Sequence, residues 1–107
     1  MRIWHKNLIT KLCRHHLLAM WMEGLGCYSI IIKNKKGYCK HPAVLEYTQC
    51  PELLWEILND VRKEMLTRGY KPKNLPELVI KNGLKQEWQS LEKQIEILYN
   101  KKCGCKI

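Results

Sequence analysis

The sequence predicts a small, mostly-α single domain of about three helices joined by short loops. Three observations carry that prediction. Apolar residues recur at helical spacing in three separate stretches, and glycines or an Asn-Gly pair stand where those stretches stop. The 107 residues are 46% hydrophobic, enough for one modest core and too apolar for a disordered chain. Phe is absent, so Trp, Leu, Ile and Met must fill that core.

The chain opens with a lead-in from Met1 to about Leu12, anchored by Ile3, Trp4, Leu8, Ile9 and Leu12. A first helix is predicted from near Cys13 to Glu23, ended by Gly24 and Gly26. Leu17, Met20, Trp21 and Gly24 share one face of it. His16, Ala19 and Glu23 form a neighbouring stripe, which puts His16 and Glu23 two turns apart on one side. Cys27 to Ile32 is strand-like in composition, and periodicity leaves a strand and an extended loop equally open. The basic turn Lys33-Asn34-Lys35-Lys36-Gly37 suits phosphate contact and equally suits a solvated loop.

Ala43 to Tyr47 is a short apolar stretch after Pro42. The clearest helix starts near Pro51, a residue preorganised for a first turn, with Glu52 at the positive end of the helix. Leu54, Leu58, Val61 and Met65, widened by Ile57, form its apolar stripe; Arg68 falls in the last turn and Gly69 suits the cap. Pro76 to Lys81 reads as one short helical turn stopped by Asn82-Gly83. A third helix is predicted from about Leu84 to Tyr99, with Leu84, Trp88, Leu91, Ile95 and Leu98 on one face. The tail from Lys101 to Ile107 reads as frayed and basic.

The formal charge of +9, from 19 Lys and Arg against 10 Asp and Glu, points to a polyanionic partner. Nucleic acid comes first and an anionic membrane surface second; an ordinary basic protein has the same composition. No apolar run reaches the length of a membrane span, and no secretory signal is recognisable, so a soluble, cytoplasmic monomer is expected. Six cysteines (Cys13, Cys27, Cys39, Cys50, Cys103, Cys105) are then expected as reduced thiols. No Cys-x-x-Cys pair exists, and the Cys39-Lys40-His41 and Cys103-Gly104-Cys105 clusters lack the usual spacing of zinc ligands. No metal or cofactor is expected, and buried thiols with a loose tail are the reading that spacing favours.

No P-loop, Gly-x-Gly-x-x-Gly, His-Glu-x-x-His or nucleophile elbow occurs, which removes support for nucleotide hydrolysis, zinc proteolysis and serine hydrolysis. What remains is the opening segment. An α-amine titrates near pH 8, so part of it is unprotonated and nucleophilic at neutral pH. Such an amine can attack C1′ of a deoxyribose and form an imine. A nearby carboxylate can stabilise the cationic sugar and then move protons. From spacing alone, the favoured reading of Glu23 is a solvated helix-end residue and that of His16 a satisfied, half-buried histidine.

The order of residues carries a resemblance. The opening MRIWHKNLI, then Leu12, Arg14, His16-Leu17, Ala19 and Glu23, is similar to the first helix of the pyrimidine-dimer DNA glycosylase family, most of all its small bacterial branch. Lys40-His41 leading through Val44 to Tyr47 resembles that family's basic-His-apolar-Tyr segment. Met65-Leu66-Thr67-Arg68-Gly69-Tyr70-Lys71-Pro72 resembles the close of its second long helix. The likeness covers roughly residues 1 to 73.

The resemblance implies a DNA repair glycosylase with abasic-site lyase activity on damaged duplex DNA. Its nucleophile is an N-terminal amine and its partner a glutamate on the first helix. Here these are Met1, a methionine of the kind retained before a bulky arginine, and Glu23. Arg2, Arg14, His16, Lys40 and His41 are the expected DNA-binding residues, and Trp4, Trp21 and Tyr38 offer stacking surfaces or core. Met22 stands where the family carries an arginine, and Cys13 where the bacterial branch tends to have proline. A non-catalytic basic DNA-binding module of the same fold is the alternative, and a small zinc protein using cysteines and His41 a third reading.

Overall fold

The apolar stripe that begins at Leu17 continues past Gly24. Leu17, Met20, Trp21, Gly24, Cys27, Tyr28 and Ile31 recur at steps of three and four residues and are all buried, the signature of one continuous helix. In the computed structural model, which describes residues 2–33, 41–101 and 103–106, they lie on a single 19-residue helix, α1 (Arg14–Ile32). The end predicted at Gly24 and Gly26, and the strand or loop predicted from Cys27, are corrected. Each mid-helix glycine costs roughly 1 kcal/mol relative to alanine. Burying a side chain such as Ile31 contributes about 1.5–3 kcal/mol, so the continued stripe outweighs both.

Three further α-helices follow: α2 (Pro42–Tyr47), α3 (Pro51–Thr67) and α4 (Leu91–Asn100). A 3-10 helix, Lys6–Lys11, precedes α1. The described residues are thus mostly helical and contain no strand. The three helices predicted correspond to α1, α3 and α4. The short α2 begins on the His41 cap, whose Nδ1 accepts from the Ala43 amide at 3.1 Å.

The α3 helix follows its sequence closely. Leu54, Ile57, Leu58, Val61 and Met65 are buried, and Pro51 opens the first turn. Gly69 takes the left-handed conformation (φ +89°), and the Tyr70 amide donates to the Met65 carbonyl at 2.8 Å, closing the helix. α1 packs chiefly on α3. Gly24 of α1 faces Leu58 of α3, and an added Cβ there would come within 2.5 Å of Leu58 Cδ2.

The connection from α3 to α4 is long and irregular, against the short loops predicted. The helical turn expected at 76–81 does not form. The segment is held instead by side chains of the helices it crosses. Tyr28 Oη donates to the Glu77 carbonyl at 2.6 Å and accepts from the Val79 amide at 2.9 Å. Trp55 Nε1 donates to the Pro76 carbonyl at 2.9 Å, and Glu52 accepts from the Lys81 amide at 3.1 Å. Buried Glu46 takes the Trp88 amide at 3.4 Å and the Lys85 ammonium at 3.4 Å.

That use of the Trp88 amide explains why α4 starts later than the predicted Leu84. Ser90 caps it, accepting from the Lys93 amide at 3.2 Å, and Leu84 is left 89% exposed. The tail is not frayed: the Lys106 amide donates to the Lys11 carbonyl at 2.7 Å, folding the described tail residues back onto the end of the 3-10 helix, just before α1. Among the described residues no helix is long and apolar enough to cross a membrane. Met1, Cys39, Lys40, Tyr38 and residues 34–37 of the basic turn lie outside the described residues.

The two α1 glycines give opposite expectations. Gly26 has open space around its missing Cβ, so Gly26→Ala should gain up to about 1 kcal/mol from helix propensity. Gly24→Val should lose about 1–3 kcal/mol by overpacking against Leu58. Urea unfolding checks both, as shifts of the midpoint in opposite directions at constant slope.

Candidate active site

Ile3 and Trp4 are buried in the core, which draws the beginning of the chain across α1. Their burial brings residue 2 to Glu23. The Arg2 backbone N–H donates to Glu23 Oε2 at 2.7 Å, joining positions 21 residues apart. Glu23 is half-buried on the α1 surface, and among the described residues it has no salt-bridge partner. The contact joins residue 2 to Glu23; Met1, the expected partner of Glu23, lies outside the described residues.

The Arg2 side chain is engaged inside the protein. Its guanidinium carbon lies 4.9 Å from the centre of the Trp4 ring and 4.8 Å from that of Trp88, and its Nη1 donates to Gln89 Oε1. A guanidinium between two indoles is a cation–π clamp. Burial lowers its pKa and the Glu23 charge raises it again; an arginine stays cationic at neutral pH under such shifts.

Three residues from the C-terminal third complete this wall: Trp88, Gln89 and Gln94. Gln94 is buried; its Oε1 accepts from the His5 amide at 2.6 Å and its Nε2 donates to the Gln89 carbonyl at 3.1 Å. Sequence reasoning put Trp88 on the apolar face of a helix and did not single out the glutamines. The signal that could have found them is Ser90 followed by Glu92, a helix-start pattern that leaves residues 84–89 outside α4.

The other expected DNA-binding residues fall in different places. His41 meets Trp88 edge-on, with ring centres 5.8 Å apart, so Arg2, Trp88 and His41 form one line of contact. His16 meets Trp4 edge-on at 5.9 Å on the other side of Arg2. Arg14 is exposed and lies over the Tyr70 ring at 5.8 Å, apart from that line. Trp21 is buried in the core. Met22, next to Glu23 in sequence, is 68% exposed.

His16 also touches sulfur. Its Nδ1 lies 3.2 Å from Cys13 Sγ and 3.3 Å from Cys105 Sγ. Burial, then the charges of Lys101 and His15, lower its pKa and favour the neutral ring. Cys27 and Cys50 are the buried thiols that the composition predicts. Burial, with Glu46 nearby, pushes the Cys27 thiol up to about 12, which leaves it unreactive. His41, expected beside the thiols if they held a metal, caps α2 instead.

Comparison with known proteins bears on this geometry. No curated protein and no solved structure gives a significant match to the chain. A family profile described as pyrimidine dimer DNA glycosylase matches residues 1–77, which include Arg2, α1 with Glu23, and the whole of α3. By that match over more than half its length, the chain belongs to the pyrimidine dimer DNA glycosylase family.

Proposed function

We propose that the protein is a DNA glycosylase with abasic-site lyase activity on pyrimidine-dimer-type damage in duplex DNA, acting through an imine to the Met1 amine. The observation that carries this reading is the 2.7 Å hydrogen bond from the Arg2 amide to Glu23. It ties the one carboxylate of the first 23 residues to the peptide that follows the proposed nucleophile.

In the proposed reaction the amine lone pair attacks C1′ of the damaged nucleotide. The glycosidic bond breaks, its electron pair leaves with the base, and the base takes a proton. Opening of the C1′–O4′ bond gives the imine, a covalent intermediate that splits one difficult cleavage into easier steps. Glu23 stabilises the cationic sugar as charge develops. It then moves a proton during loss of the C2′ hydrogen, which expels the 3′ phosphate. Water releases the protein amine at the end.

Arg14, Lys40 and His41 are proposed to contact DNA phosphates. Arg2 and His16 are proposed to act on DNA from within the aromatic wall, through the position of Trp4 and Trp88. The +9 charge supplies the long-range attraction.

Three arms of one experiment test the chemistry. Untagged protein beginning at Met1, mixed with abasic or dimer-containing duplex and borohydride, should give a covalent protein–DNA adduct. Acetylation of the amine should abolish it. No adduct from the unblocked protein on either substrate would falsify the enzyme reading and leave the binding-module alternative. Glu23→Gln keeps an oxygen that can accept from the Arg2 amide, so the fold should hold while strand cleavage falls about 10²–10⁴-fold and DNA binding changes little.

Binding itself has a separate signature. Affinity for duplex should fall linearly on a log–log plot against salt, because released counterions drive it. Fluorescence anisotropy at several salt concentrations reads the slope, and a flat line would rule out a phosphate-tracking surface.

A further inference from the structure

The chain's last cysteines have no part in the chemistry proposed above, yet the tail carries them to the first turn of α1. The Cys13 amide donates to Cys105 Sγ at 3.1 Å. The ligand atoms of Cys13, His16, Cys103 and Cys105 all lie within 4.8 Å of one another, and all four residues are half-buried. The three cysteines are free thiols.

Tetrahedral zinc holds sulfur at about 2.3 Å and imidazole nitrogen at about 2.0–2.1 Å, which sets sulfur–sulfur separations near 3.8 Å and sulfur–nitrogen separations near 3.6 Å. The two sulfur–nitrogen distances, 3.2 and 3.3 Å, lie just inside that requirement. The widest separation, 4.8 Å, is about 1 Å outside it, within reach of a small cysteine side-chain rotation. Helical geometry puts Cys13 and His16, three residues apart at the start of α1, on one face. Gly104 between Cys103 and Cys105 lies against Cys13, where an added Cβ would stand 3.5 Å from the Cys13 Cβ. We propose that Cys13, His16, Cys103 and Cys105 form a structural zinc site.

Three thiols and a neutral imidazole are a soft ligand set suited to zinc. With all four positions filled by protein, no coordination site is left for water or substrate, so the role is structural. Binding would release three thiol protons to solvent and leave the centre with one net negative charge, next to the cationic Lys101 and Lys106. The site would fasten the tail to α1 and fix the His16 ring, which packs on Trp4, one side of the Arg2 clamp. The proposal stands apart from the glycosylase reading and is tested without DNA.

The test uses untagged full-length protein, purified in reductant without chelator from zinc-supplemented medium. Elemental analysis should find one zinc per chain. Cobalt titrated into metal-stripped protein should give the thiolate-to-metal charge-transfer band and intense visible bands of a tetrahedral site, saturating at one equivalent and bleached by zinc. The Cys103→Ser/Cys105→Ser double variant should weaken binding by more than the roughly 10–100-fold that loss of an outer-shell partner costs. His15→Gln, next to a ligand but outside the set, should bind like the unaltered protein. A chain that gives no tetrahedral cobalt spectrum, or keeps it in the double variant, overturns the proposal. So does a disulfide among Cys13, Cys103 and Cys105 in protein kept reduced. The cobalt spectrum of the unaltered protein decides the matter even where a variant fails to fold.

Discussion

The hydrogen bond from the Arg2 backbone to the Glu23 carboxylate is the constraint on which the rest of this arrangement depends. Chain beginnings are poorly ordered unless something ties them down. Here the tie is a charge-assisted bond, a class that contributes about 1.5–3 kcal/mol, and it is backed by burial of Ile3 and Trp4. Ordering residues 2 to 4 costs roughly 1–2 kcal/mol per residue in backbone entropy. The bond and the burial together offset that cost, and neither alone does so comfortably. Everything that packs around Arg2 can be understood as holding this contact.

Two regions of the chain share that task. The family-matched region, residues 1–77, supplies α1, Glu23 and the α3 surface against which α1 lies. The rest supplies Trp88 and Gln89 on the guanidinium and Gln94 on the His5 amide. Buried Glu46 links the two regions, because its carboxylate holds both the Lys85 ammonium and the Trp88 amide. Burial raises the pKa of that carboxyl and Lys85 lowers it again, as expected for a buried acid that keeps a charged partner. The indole on Arg2 is thus positioned from α2, and the beginning of the chain from α4.

How legible this was in the sequence varied with the physics of each part. α3 was read almost to the residue, because proline, apolar stripe and capping glycine agree with one another. α1 was read only to Glu23. Two glycines and a run of three isoleucines argue locally for an end and a strand, and only the core contacts of Cys27, Tyr28 and Ile31 overrule them. Around Pro76 to Lys81 the backbone is satisfied by side chains from distant helices, and Leu84 and Trp88, in register with the α4 stripe, stand outside that helix. The family itself was legible through the order of residues in the first seventy or so positions. The gathering of Cys13, His16, Cys103 and Cys105 was not, because it depends on where a short tail lands about ninety positions away.

The clamp on Arg2 has a consequence for the proposed chemistry. Among the described residues, the guanidinium whose charge acts on this carboxylate is that of Arg2. An ion pair between them would spend the carboxylate's charge on the protein itself. Trp4, Trp88 and Gln89 hold the guanidinium elsewhere, so Arg2 reaches Glu23 through its backbone and through space only. An ionised carboxylate has about four lone-pair sites, and a single backbone N–H occupies one. In the proposed reaction, the acceptor capacity that the described residues leave on Glu23 would face the developing sugar cation and the proton moved after it.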